Sequence, residues 1–196
     1  MDFTIELAVA DDTKYADQIS QMYAESSKER GTGIAVRKPE YISQKIVKGN
    51  AIIAKHGEEL AGFCYIETFS KGEYVSNSGL IVAHKFRGNG LSKKIKKIAV
   101  KYARDKNPKA KLFGITTSDI VMKINSELGY IPVSFKHLTT DEEFWKGCSS
   151  CVNYDVLTRN NKTMCLCTGM LAKSKEEMEF DLTDMIKQND PKKDEK

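Results

Sequence analysis

Between Ser78 and Lys94 an apolar run, Leu80-Ile81-Val82, leads through Ala83 into Arg87-Gly88-Asn89-Gly90 and then Leu91-Ser92-Lys93-Lys94. Strand, glycine turn and helix in that order can hold an anion. Gly88 and Gly90 lack Cβ atoms, so backbone can approach a ligand closely. The first N–H groups of the following helix point into the turn at the positive end of the helix dipole. Arg87 adds a planar donor fork suited to phosphate. Nine Lys and Arg lie between Lys85 and Lys106 against one acid, Asp105, and Lys93, Lys94, Lys96 and Lys97 flank the helix start. A helix with a solvated basic face accounts for the same residues, because short glycine motifs match by chance. The turn is not a P-loop, since no Gly-Lys-Ser/Thr follows, and it lacks the Gly-x-Gly-x-x-Gly dinucleotide spacing.

A second group consists of Cys148-Ser149-Ser150-Cys151, followed after 13 residues by Cys165-Leu166-Cys167. The intervening Val152–Thr158 and Thr163–Thr168 read as two strands turning at Arg159-Asn160-Asn161-Lys162. Such a hairpin would bring two thiolate pairs together as a tetrahedral zinc site. Four small packed cysteines, or a redox pair at Cys148 and Cys151, are the alternatives. Phe144 and Trp145 just upstream are expected to pack this segment onto the rest of the fold. Cys64, in an apolar strand, reads as core.

The elements that must position these groups follow from periodicity. Alternation of Phe3, Ile5, Leu7 and Val9 predicts a strand, and Asp11 or Asp12 can cap the helix carrying Ala16, Ile19, Met22 and Tyr23. Gly31 and Gly33 end it. Pro39 opens a second helix with Tyr41, Ile42, Ile46 and Val47 on its apolar side. Strands follow at 50–55, 60–69 and 75–83, the first two joined through His56-Gly57-Glu58-Glu59. The basic helix after Gly90 presents Leu91, Ile95, Ile98 and Tyr102 as a stripe. A strand at 112–116, a helix from Asp119 to a glycine cap at Gly129, and a strand at 130–135 complete the order. The sheet is therefore expected to begin antiparallel and to become parallel around the basic helix.

The chain has 196 residues, 40% hydrophobic and 30% charged, with a net charge of +4. That is one globular domain with a real core, not a disordered chain, and no apolar run is long enough to cross a membrane. The start, Met1-Asp2-Phe3-Thr4, does not resemble a signal peptide, and five cysteines without one suit a reduced, cytoplasmic setting. Residues 172–196 form a charged tail. Ser174 and Glu177 make a capping box for a short helix to about Gln188, and the last residues are expected to be disordered.

Arg87-Gly88-Asn89-Gly90-Leu91-Ser92 resembles the Arg/Gln-x-x-Gly-x-Gly/Ala pyrophosphate turn of the GNAT superfamily of acyl-CoA N-acyltransferases. The element order resembles that fold over residues 3–136, with 137–171 as a Cys-rich extension packed on it. Asn125-Ser126-Glu127-Leu128-Gly129-Tyr130 resembles the family's Tyr-x-x-Leu-Gly-Phe ending. The resemblance implies an α/β fold with a mixed antiparallel and parallel sheet flanked by helices, and acetyl-CoA or another acyl-CoA as co-substrate. It implies CoA contacts at Val82, Ala83, Arg87, Gly88, Asn89, Gly90, Leu91 and Ser92. Two departures stand out. Ser92 replaces the usual last Gly or Ala, and Asn125 stands where many members place a tyrosine that protonates the departing thiolate. An amide cannot give up that proton, so hydrogen bonding, water or another residue must handle the sulfur.

Amide formation also requires a neutral amine, so a carboxylate or a held water must take the acceptor's proton. Glu67, Glu73, Asn77 and Ser78 are candidates on the central strands, with Glu67 unexpected in the run Cys64-Tyr65-Ile66-Glu67-Thr68-Phe69. Catalytic roles are expected for Glu67, Ser78 and Asn125. In this fold the loop between the first two helices covers the acceptor, and here Arg30 and Arg37 could fix its carboxylates. The segment Phe144-Trp145-Lys146-Gly147-Cys148 also resembles bacterial acyltransferases associated with arginine biosynthesis, which implies glutamate as acceptor. A protein-lysine or polyamine acyltransferase, a CoA-binding module without catalysis, and a nucleic-acid-binding module are the alternatives. The last lacks interleaved aromatics for base stacking. A homodimer is left open.

Overall fold

The structure is a computed structural model and describes residues 1–31 and 34–179, apart from the side chain of Arg30. Its frame is one seven-stranded sheet in the order β1-β2-β3-β4-β5-β7-β6. The strands are β1 (Thr4–Leu7), β2 (Ala51–His56), β3 (Glu59–Phe69), β4 (Tyr74–Val82), β5 (Lys111–Thr116), β6 (Ile131–Val133) and β7 (Thr168–Ala172). β4 and β5 run parallel, and every other neighbouring pair is antiparallel. The expected switch of direction across the basic helix is present, because that helix is the crossover joining the parallel pair.

The helices are α1 (Ala16–Arg30), α2 (Pro39–Val47), α3 (Leu91–Lys106), α4 (Asp119–Glu127), α5 (Glu142–Lys146) and α6 (Tyr154–Arg159). Gly31 ends α1 at φ 64°, as its lack of a Cβ permits. Asp12 caps a short 3-10 turn ahead of α1, accepting from Val9 N–H at 2.9 Å. α1 and α2 cover one face through Ile19, Tyr23, Ile42 and Ile46 against Ile53, Phe63 and Tyr65. α3 covers the other face, setting Leu91, Ile95 and Ala99 on Ile52, Ala54 and Ala61. It packs so closely that a Cβ on Gly62 would lie 2.7 Å from Ile95 Cδ1.

The Cys-rich hairpin does not form. Residues 154–159 are helix α6, and 168–172 are β7, inserted between β5 and β6. The alternation of Val152, Tyr154 and Val156 suggested a strand, but the buried residues are Asn153 and Leu157, four apart on one helical face. Thr158 Oγ1 bonds to Tyr154 O at 2.9 Å and Asn160 Nδ2 to Val156 O at 2.7 Å, which closes the short helix. The extension is thus not an appendage, since it ends as a strand of the main sheet. The Ser174–Glu177 box is made on both sides, at 2.8 and 3.1 Å. The rest of the expected tail helix and the expected disordered end lie outside the described residues.

Candidate active site

β4 closes at Val82 opposite Gly62, and Ala83 N–H still reaches Ala61 O at 2.9 Å. The chain then turns through Gly88 at φ 82° and Gly90 at φ 69°, where no neighbour crowds either glycine. Backbone direction, not space, is what calls for glycine in this turn. Asn89 Nδ2 ties the turn to Phe86 O and Arg87 O, each at 3.2 Å. Lys94 N–H bonds to Gly90 O at 3.3 Å, but among the described residues no backbone carbonyl accepts from the N–H groups of residues 88–93. Arg87, just before them in the chain, is exposed, with Nε on Val82 O at 3.3 Å. The residues named for the phosphate turn lie together in the chain's turn and helix start, with Ser92 half-buried and the Leu91 side chain buried in the core.

Next to this turn the sheet opens. β4 and β5 pair only from Tyr74–Ser76 to Lys111–Phe113. Beyond that β4 stays with β3 while β5 continues to Thr116 against β7. A bulge widens the gap, because Phe63 opposes Ile81 and Tyr65 opposes Ser78, leaving Gly79 and Leu80 against Cys64. Gly79 takes φ 65°, and a Cβ there would lie 2.4 Å from both Tyr23 Oη and Tyr65 Cε1. The opening holds a cavity of about 200 Å³. Ser78 to Ile81 and Gly114 to Thr116 line it from the two strands, and Asn125, Lys96 and Cys148 line it too. Arg37, Tyr41, Tyr65 and Glu67 line it as one contacting group.

Glu67, Ser78 and Asn125 all line this cavity. Glu67 is not a solvated strand end: it forms an ion pair with Lys45, itself buried, and accepts from Tyr41 Oη at 2.8 Å. Burial together with the Tyr65 hydroxyl and the Glu67 carboxylate holds the Tyr41 hydroxyl well above its ordinary pKa. Ser78 Oγ bonds to Ser76 Oγ at 3.1 Å. Asn125 Nδ2 points at Met170 Sδ at 3.3 Å, while its buried Oδ1 has no partner. Arg37 is half-buried, with Nε on Tyr65 Oη at 3.0 Å and Nη1 on Gly147 O at 3.2 Å. The side chain of Arg30 lies outside the described residues.

The four clustered cysteines each remain free thiols. Cys148, Cys165 and Cys167 pack against Phe69, Phe113, Trp145 and Leu157, so Phe144 and Trp145 do anchor the segment. Burial and the neighbouring thiols push Cys148 up to about 11 and Cys167 up to about 12. Among the described residues no three His, Cys, Asp or Glu side chains are arranged to hold a metal ion. The zinc expectation is not shown, although the helix that replaces the hairpin still brings the two pairs together, with the Cys167 thiol near those of Cys148 and Cys151 as well as Cys165.

Several cavity residues are not marked as site residues by the sequence. Tyr23, Tyr41 and Tyr65 look like ordinary core aromatics. Lys96 is lost among the lysines of α3, although it falls three and four residues before the buried Ala99 and Val100. A lysine in phase with an apolar stripe is the signal that marks it.

The described residues include no helix long and apolar enough to cross a membrane. A sequence profile described as "Acetyltransferase (GNAT) family" matches residues 17–119, and the chain belongs to that family. Among solved structures, N-acetylglutamate synthase from Neisseria gonorrhoeae, complexed with coenzyme A and N-acetyl-glutamate, is similar at 18% identity and a TM-score of 0.64. The likeness covers 89% of this chain but 35% of that one, so the chain spans about a third of the Neisseria protein's length. A Mycobacterium tuberculosis protein in complex with CoA is similar at 14% identity and a TM-score of 0.60, over 87% of this chain and 98% of that one. The Salmonella typhimurium protein yncA, solved with acetyl-CoA, is similar at 13% identity and a TM-score of 0.58, over 88% and 94%. No curated protein sequence matches the chain.

Proposed function

We propose that the protein transfers an acetyl group from acetyl-CoA to the amine of a small acidic amino acid, with glutamate as the first candidate. The observation that carries this reading is Arg37, whose guanidinium lines the cavity beside Tyr65. The pyrophosphate would lie on the N–H groups of residues 88–93, and the thioester would enter the opening between β4 and β5. A carboxylate of the acceptor would meet Arg37 and bring its amine toward Glu67 and Ser78. Nitrogen attack on the thioester carbon forms the C–N bond and breaks the C–S bond. The amine's proton leaves through Glu67 or a water held at Ser78. The Neisseria structure, a complex with coenzyme A and N-acetyl-glutamate, supports the acceptor class by analogy of fold alone.

An amino-acid screen with acetyl-CoA tests the reading, with CoA thiol release as the readout. Glutamate is the expected acceptor. Arg37→Ala should raise the acceptor KM by about 10- to 1000-fold, as expected for losing a desolvated carboxylate–arginine contact. The acetyl-CoA KM should stay nearly constant. Acetylation of a peptide lysine or a polyamine, with glutamate and aspartate inert, would overturn the acceptor assignment.

A further inference from the structure

We propose that Lys96 is a catalytic residue of this transfer, its ammonium giving a proton to the departing CoA thiolate. The inference rests on the acyltransferase reading above. It begins from the gap at Asn125, whose amide cannot donate a proton usefully. Lys96 lines the same cavity and, like Asn125, contacts Tyr130; it lies about 8 Å along α3 from the helix's first residue at the phosphate turn. A CoA bound at that turn with its thioester between β4 and β5 would bring sulfur into this cavity.

Lys96 is 3% exposed, yet its ammonium makes one long bond, to Asn77 O at 3.4 Å. A buried lysine with a purely structural role is normally paired. Around it Asn77 Nδ2 and Asn125 Oδ1 are also buried without partners, so these polar atoms of the cavity lining are set for a guest. The groups facing the ammonium are the Cys64 thiol of β3, the Asn77 carbonyl of β4 and the ring of Tyr130 ahead of β6, 5.7 Å away. Burial lowers the lysine's pKa to about 8. The group is thus still mostly protonated at pH 7 and a far stronger acid than a surface lysine. As the C–S bond breaks, one N–H proton of Lys96 passes to sulfur and free CoA thiol leaves. The neutral amine then regains a proton from water, and the acceptor's own proton balances the cycle.

The test compares wild type with Lys96→Met and Lys96→Arg. Both variants should bind CoA with a KM for acetyl-CoA within a few-fold of wild type. Both should lose kcat by about 100- to 10 000-fold, the range for a general acid. Arginine keeps the charge but does not release its proton, so recovery in Lys96→Arg would mean a purely electrostatic role and overturn the proposal. A thioester with a more acidic leaving thiol needs no proton donor, so Lys96→Met should lose much less with that substrate. The ultraviolet thiolate band of bound CoA gives a readout free of any acceptor. The bound thiol should ionise at lower pH in wild type than in Lys96→Met. Identical titrations, or a Lys96→Met enzyme with wild-type kcat, would overturn the proposal. A wild-type enzyme that releases no CoA with any amine would instead overturn the acyltransferase reading, and the thiol titration would still decide whether Lys96 faces the sulfur.

Discussion

Arg87 reaches from the glycine turn to Glu29 on the last turn of α1, Nη1 to Oε2 at 2.8 Å. The two side chains are 38% and 45% exposed, so the pair adds little stability. Its effect is to occupy the guanidinium that a pyrophosphate would use. Arg87→Ala should raise the acetyl-CoA KM by about 10- to 100-fold, the value of a charged hydrogen bond, with the acceptor KM unchanged. Glu29→Gln should lower the acetyl-CoA KM by about 2- to 5-fold at low salt, because a competing partner worth up to about 1 kcal/mol is removed. Steady-state kinetics at two ionic strengths check both values.

Gly79 sets the width of the cavity. Its positive φ and the two tyrosines against it leave no room for a side chain. Gly79→Ala should cost about 2–4 kcal/mol, from left-handed strain and overpacking together. A Tm fall of roughly 5–15 °C is the expected reading for a chain of this size. Tyr23→Phe removes the hydrogen bond to Gly79 O and also the Tyr23 Oη clash, but leaves the Tyr65 ring 2.4 Å from the new Cβ, so it should rescue Gly79→Ala only in part.

The raised thiols of Cys148 and Cys167 predict slow chemistry at neutral pH. Thiolate, not thiol, is the nucleophile, so alkylation at pH 7 should be slow and should speed up only above pH 10. Unfolded thiols ionise near 9.0, and these two ionise near 11 and 12 when folded. Above pH 9 the unfolded chain therefore releases protons first, and stability should fall steadily from there. Intact-mass measurements and melting curves read the two effects. Dialysis against a chelator should change neither, and faster alkylation with a lower Tm after chelation would show that the four thiols hold a metal.

What the sequence made legible is local. The phosphate turn could be read because strand, glycines and helix are contiguous. The Ser174–Glu177 box could be read because its two bonds span three residues. The insertion of β7 between β5 and β6 could not, since strand order depends on pairings more than 30 residues apart, such as Ile131 with Leu171. α6 was hidden by a chance alternation of apolar residues. Glu67 stood out because a carboxylate interrupts an apolar strand, whereas Lys96 sits in a run where every other lysine is solvated. Only the phase of α3 against the sheet distinguishes it.

Keeping Lys96 charged and buried carries a stability cost with a defined sign. Its pKa is lowered from 10.5 in the unfolded chain to about 8 in the fold. Below pH 8 both states are protonated, and the folded state bears the whole penalty, about 3 kcal/mol at about 1.4 kcal/mol per unit. Between about pH 8 and 10.5 the unfolded chain binds more protons than the folded one, so this contribution makes stability rise with pH. Lys96→Met, of similar length and apolar, removes the penalty. It should therefore raise Tm at pH 7 by up to roughly 10 °C, with the gain shrinking toward pH 10.5. A variant that is more stable and much slower is the pattern of a residue retained for chemistry rather than for folding. If Lys96→Met melts well below wild type at pH 7, the ammonium stabilises the fold instead, and the lysine belongs to the core packing of α3.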